Sequence, residues 1–306
     1  WSRLSGPWLL RASACFHEAA ELDPGFAAPH AGLAHAWVIL GWSGLTPPGE
    51  AWEQAAREAA LALERDPGLP DALIARAFVA LLRDWDWTGA TRDLDAAVQA
   101  RPQDAGPVLW RGLFLALRGE AERAGRELAR AEDLDPTAQI VSAARGFVAC
   151  LLGDHEAELE QQQRTRELDP AQFLGHWSVG LALLHVGRLD EALAAQRRAV
   201  ELSEGGALMQ AMLGHALARA GDTAAARAAL GELRALAPAY DHPYQQATLL
   251  AALGQPQAAV ELLARACDQR DPWVLLLGVD PLLAPLEGQP GLADLRRRVL
   301  GPAGAR

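Results

Sequence analysis

The sequence predicts an all-α fold, a right-handed α-solenoid of antiparallel helix pairs closed by a C-terminal capping segment. Three observations predict it. The first is a period. Pro24, Pro67, Pro102, Pro136, Pro170 and Pro238 close phrases such as "ELDP" and "DLDP", and they stand 43, 35, 34, 34 and 68 residues apart. The unit is therefore 34 residues, with Glu204 standing where one proline is missing. The second is what recurs inside the unit. Glycine returns at position 8 (Gly112, Gly180, Gly214) and at position 15 (Gly119, Gly187, Gly221), and alanine returns at position 20 (Ala124, Ala192, Ala226). The third is composition. Alanine, leucine and arginine dominate while valine, isoleucine and threonine are sparse, a mixture that favours helix over strand.

Each element follows from these. The glycine at position 15 sits between two helical patterns and reads as the turn of a hairpin. Small residues at positions 8 and 20 let the two helices approach closely. The closing proline cannot extend a helix and biases its predecessor away from one. One hairpin cannot bury both faces, so hairpins stack. In chain order, residues 1–26 hold a lone second helix. Seven units follow at 27–69, 70–104, 105–138, 139–172, 173–206, 207–240 and 241–274, and 275–306 form a cap and tail, for about sixteen helices in all. The nine extra residues of the first unit fall in "GWSGLTPPGEAWEQ". Two units depart from the pattern. The unit at 139–172 carries Glu158 at position 20 and Thr165 at position 27, which predicts looser packing, and the unit at 241–274 has Thr248 at position 8 and Asp271 at position 32. The helix at 8–23, with Leu9, Ala12 and Phe16 on its apolar face, should pack on one side only and offers an edge for self-association. No methionine opens the chain, which is read as a fragment of a longer protein.

Period, turn glycine, small positions and closing proline together resemble the tetratricopeptide repeat family, over residues from about 8 to 272. The stretches "FHEAAELDPGFAAPHAGLAHAW", "DWDWTGATRDLDAAV" and "RDPWVLLLGVDPLLAPLEGQPGLADLRRRVL" resemble the C-terminal arrays of bacterial regulators. In those, the N-terminal part is a winged-helix DNA-binding, serine/threonine kinase or adenylate cyclase domain, and none of these is present here. The resemblance implies a regulatory or partner-binding module and carries no catalytic residue onto this chain.

Charge and chemistry narrow the function further. The net charge is −11, from 39 acidic and 28 basic residues, which argues against direct nucleic-acid binding. Cys15, Cys150 and Cys267 are too far apart for a CxxC motif, so neither a disulfide framework nor a zinc site is signalled, and they read as small core residues of a cytoplasmic protein. No apolar run approaches the length of a membrane span. No nucleophile elbow, phosphate loop or dinucleotide fingerprint occurs, so no enzyme, cofactor or catalytic residue is expected. "HEAAE" at 17–21 lacks the second histidine of a metalloprotease helix. His35 and His215 share position 9 and His185 lies at position 13, in different units, so no metal site is expected from them either. Trp52 and Trp87 at position 17, with Trp85 beside them, read as packing residues, and "RRR" at 296–298 as the polar face of a capping helix.

The family resemblance implies that first-helix residues line a concave groove. On this chain those are Phe78, Trp110, Leu113, Phe147, Trp177, Leu181, His185, Met212 and His215, the candidate binding residues. Relatives that grip a peptide carboxylate use lysine, arginine and asparagine there. This chain has no lysine or asparagine, and Arg219 alone lines the groove, so the charge-assisted bonds of such a partner are missing. The expected partner is an apolar or aromatic peptide segment, or a neighbouring domain of the same polypeptide, along Phe78, Trp110, Phe147 and Trp177. The alternative expectations are a sensor in which a small apolar ligand fills the groove and controls an attached effector domain, and a tightly wound superhelix in which these side chains pack against one another and leave no groove.

Overall fold

The computed structural model describes residues 6–236 and 240–301. Pro238 and the outermost residues of both terminal segments lie outside the described residues. Among the described residues all regular structure is helical, with sixteen α-helices. They are α1 (Gly6–Leu22), α2 (Ala27–Trp42), α3 (Pro48–Arg65), α4 (Pro70–Val79), α5 (Trp87–Ala100), α6 (Ala105–Leu117), α7 (Ala121–Leu134) and α8 (Gln139–Leu151). The second half continues with α9 (His155–Leu168), α10 (Phe173–His185), α11 (Leu189–Leu202), α12 (Ala207–Arg219), α13 (Thr223–Ala235), α14 (Pro243–Ala252), α15 (Pro256–Asp268) and α16 (Leu292–Leu300). Successive helices pack as antiparallel hairpins. The even-numbered helices α2 to α14 also touch one another in sequence and form the inner layer of an α-solenoid.

The repeated residues do what the pattern requires of them. Gly119, Gly187 and Gly221 have φ of 76°, 78° and 86°, the left-handed conformation that ends the first helix of a hairpin. Ala124, Ala192 and Ala226 are fully buried. A Cβ on Gly112 would come 2.8 Å from Leu128, and one on Gly214 would come 2.7 Å from Leu249, so position 8 is a close helix contact. The structure also locates the irregular lengths. The first unit's extra residues are shared between a loop and two longer helices, with α2 and α3 of 16 and 18 residues against 13 and 14 for α6 and α7. The single extra residue of the second unit is taken up by a π-helical turn at Ala80–Asp84, which ends at Trp85 with φ 56°.

On α1, Phe16 is half-buried and packs over Gly32, where a Cβ would lie 2.6 Å from its ring. Ala12 is exposed, as are Leu10 and Leu22. In the unit at 139–172, Glu158 and Thr165 are both buried. Of the cysteines, Cys267 is a core residue, whereas Cys150 is half-buried and Cys15 exposed.

The solenoid departs from a linear stack at its end. After α15 the chain makes two 3-10 turns, Pro272–Leu276 and Pro281–Leu286, before α16. This stretch returns to the first two units. The Trp52 indole N–H donates to the Arg270 carbonyl (2.9 Å), and the Trp87 indole N–H donates to the Val299 carbonyl (2.9 Å). The Arg270 guanidinium lies 3.6 Å from the centre of the Trp85 ring, and Trp42 meets Trp273 edge-on at 5.6 Å. One apolar core therefore runs from Ala27 to Val299.

Candidate functional site

Two features carry chemistry. The first is the concave face and the segment that lies on it. The two 3-10 turns are built alike. Asp271 accepts from the Trp273 backbone N–H (2.9 Å) and Asp280 from that of Leu282 (2.9 Å), each aspartate capping a turn opened by proline. Each aspartate also takes a tyrosine hydroxyl from the α13–α14 region, Tyr240 to Asp271 (2.5 Å) and Tyr244 to Asp280 (2.7 Å). Burial pushes both carboxyls up, Asp271 to about 6, against the opposing pull of their hydrogen bonds. Held this way, the segment lays Trp273 against Trp42 on α2 and Leu282 into a cluster with Trp177, Leu181 and Met212 on α10 and α12.

The predicted groove residues sort along this face. Phe78 is buried among Trp42, Trp110 and Phe114, with ring centroids 6.5, 4.8 and 5.4 Å away. Trp110, Leu113 and Phe147 share one half-buried apolar cluster. Trp177 and Leu181 lie against Leu282. The Trp177 indole nitrogen and His215 Nδ1 are buried and make no hydrogen bond among the described residues. Burial, then the charges of Arg219 and His185, lower the His215 imidazole to about 4.

The second feature lies where α8, α9 and α10 meet. His155 opens α9 and Glu158 follows one turn later, while His185 ends α10. Glu158 is only 2% exposed. Its carboxylate accepts from His155 Nδ1 (3.0 Å) and from His185 Nδ1 (2.9 Å). Cys150 Sγ on α8 lies 3.7 Å from His185 Nδ1. One ligand atom from each of the four side chains lies within 4.8 Å of every other. Burial, then the Glu158 charge, pushes the Cys150 thiol up to about 12. The charge of Asp280, on the returning segment, raises the Cys150 thiol further.

No protein-family model matches the sequence, and no curated protein matches it. Solved structures do match. A chain of the APC/C hetero-tetramer Cut9–Hcn1 is 18% identical with a TM-score of 0.63, and the alignment covers 95% of this chain and 52% of that one. A tetratricopeptide repeat protein from Parabacteroides merdae is 13% identical with a TM-score of 0.54, over 75% of this chain and 91% of that one. The chain has the tetratricopeptide repeat fold. Yeast Tom70 shares it too, at 17% identity and a TM-score of 0.54, over 94% of this chain and 61% of the Tom70 chain. This tetratricopeptide array thus spans about half of the Cut9–Hcn1 chain that it matches, and these likenesses carry its fold and not its function.

Two sets of residues escaped the sequence reading. The sequence reading weighed His185 only against His35 and His215, whereas in the structure it lies beside Cys150, His155 and Glu158. A signal was present. Position 20 is a buried alanine in the regular units, so a glutamate there has to be buried and partnered. The paired Asp-Pro turns carried a weaker signal, the phrase "DP" at 271–272 and again at 280–281. The three arginines at 296–298 form no open basic patch. Arg296 binds Glu287 and the Leu277 carbonyl, Arg297 pairs with Asp294, and Arg298 pairs with Asp268.

Proposed function

We propose that this chain is a non-catalytic protein-interaction scaffold whose concave face takes an apolar or aromatic peptide segment. What supports this reading is the way the chain covers that face with its own residues. Trp273 and Leu282 act as apolar anchors, nine residues apart in sequence, and sit on Trp42 and on the Trp177–Met212 cluster. Between them Trp110, Leu113 and Phe147 stay half-buried, with Phe78 beneath. The covering segment leaves the Trp177 donor and His215 Nδ1 unpartnered, so a fitting segment would carry an acceptor between its apolar anchors. The absence of lysine and asparagine from the whole chain disfavours a partner read by its terminal carboxylate.

The probe for this reading is a labelled peptide of residues 270–288 added in trans. Leu282→Asp loosens the resident segment without touching the inner-layer helices. The peptide is expected to bind this variant at least about ten-fold more tightly than it binds the unaltered chain, because it no longer competes with an intramolecular copy. Adding Trp177→Ala is expected to abolish that gain, with circular dichroism unchanged. No binding to the loosened chain, or binding indifferent to Trp177, would remove the reading.

A further inference from the structure

The geometry points to a divalent transition-metal site, of zinc type, formed by Cys150, His155, Glu158 and His185 where α8, α9 and α10 meet. The donor set is one thiol sulfur, two imidazole nitrogens and one carboxylate, the ligands that tetrahedral zinc takes. The spacing fits as well. Metal–ligand bonds of about 2.0–2.3 Å in a tetrahedron place neighbouring donors about 3.3–3.6 Å apart. Cys150 Sγ and His185 Nδ1 are already 3.7 Å apart, the two histidine Nδ1 atoms stand 2.9 and 3.0 Å from Glu158 oxygens, and no donor pair exceeds 4.8 Å, so the close pairs open and the wide ones draw in around an ion. Both histidines turn the same atom, Nδ1, toward the carboxylate.

A hydrogen-bonded network without an ion is the competing explanation. Glu158 is buried where the regular units keep alanine, and among the described residues no arginine pairs with it, so its partners are the two imidazoles. A dication bound to one thiolate, one carboxylate and two neutral imidazoles makes a site of zero net charge. On binding, the Cys150 thiol proton leaves to solvent as the metal–sulfur bond forms. A neutral ring that carries its proton on Nδ1 gives it up to solvent as the metal–nitrogen bond forms and takes one from solvent on Nε2, so each ring stays neutral. Four protein ligands make this a closed, structural site, and His155, 41% exposed, is the side by which an ion enters. The ion would fasten α8, α9 and α10 together.

The test is titration of the untagged, chelator-stripped 306-residue chain with Co(II) and then Zn(II). The expected result is one Co(II) per chain, with a tetrahedral visible spectrum and a thiolate-to-cobalt charge-transfer band, both bleached by one equivalent of Zn(II). Cys150→Ser should remove the charge-transfer band. Cys150→Ser and His185→Gln should each weaken Zn(II) binding by more than the roughly 10–100-fold that loss of an outer-shell partner costs. Glu158→Ala, which restores the residue of the regular units, should stay folded and lose the tight site. Cys15→Ser, on the exposed face of α1, should change nothing. A folded chain that gives no charge-transfer band overturns the inference. So does tight binding that persists unchanged in Cys150→Ser or Glu158→Ala.

Discussion

At the scale of single residues, burial converts ordinary side chains into sensitive ones. Asp271 is 1% exposed and its carboxyl is raised to about 6, from an ordinary value near 3.8. The folded state therefore holds the proton at a higher pH than the unfolded chain does. Its contribution to stability is fully present below about 4 and is lost as pH rises through about 6. Unfolding free energies of the native chain and of Asp271→Asn, measured in urea from pH 7 down to pH 4, should diverge. The native chain should gain about 2 kcal/mol relative to the variant over that range. Equal slopes would contradict the carboxyl's raised affinity for its proton. Gly175 illustrates the other kind of sensitivity. A Cβ there would stand 2.4 Å from the Arg166 Cα, a backbone atom with no rotamer to yield. Gly175→Ala should therefore cost on the order of 1–3 kcal/mol, whereas Gly231→Ala, with open space around it in α13, should cost nothing or add helix propensity. Thermal melts of the two variants side by side separate these outcomes.

Elements show how much of the molecule could be read in advance, and why the remainder could not. The hairpins were legible because their rules are local. A glycine with φ near 80° and an alanine at a fully buried contact do the same work in the regular units and leave the same mark at the same position. The extra residue that widens α4 into a π turn was visible only as a spacing of 35 instead of 34. That the turn would set Trp85 beneath Arg270 was not visible, since this contact spans 185 residues and obeys no period. The tryptophans at position 17 were correctly read as packing residues, yet their indole N–H groups close onto Arg270 and Val299, partners from outside their own repeats. The cluster around Glu158 failed to declare itself for a different reason. Its members come from three helices, and only the glutamate breaks the repeat pattern. A pair of variants weighs the long-range contacts. Trp52→Phe keeps most of the ring's volume and should lose about 1 kcal/mol with its hydrogen bond, while Trp52→Ala should lose about 3–5 kcal/mol by opening a cavity under α3. Denaturant midpoints with unchanged slopes would give both values.

Across the whole molecule, the returning segment changes what kind of solid this is. An open repeat array is held only by nearest neighbours and can fray from either end. Here a single apolar core includes residues from α2 and from α16, so fraying at one end disturbs the other. The native chain should unfold in one transition by circular dichroism and tryptophan fluorescence alike. Substituting Trp87→Phe together with Trp42→Ala should separate the two signals, because the early units then lose their grip on the C-terminal segment. Coincident transitions in that double variant would mean that closure contributes nothing to cooperativity.

The same closure imposes an order on events during synthesis. The ribosome makes Trp52 and Trp87 early, and the carbonyls that accept their indole protons come 218 and 212 residues later. At roughly 5–20 residues per second, tens of seconds of translation at the slower end separate donor from acceptor. For that interval the nascent chain is an open spiral with its aromatic inner wall uncovered. Local hairpins can form as they emerge, but the ring-closing contacts cannot, and they carry the loop-closure cost of most of the chain in one late step. The bare wall is then a surface for a chaperone or for another nascent chain, until the last turns fold back over it.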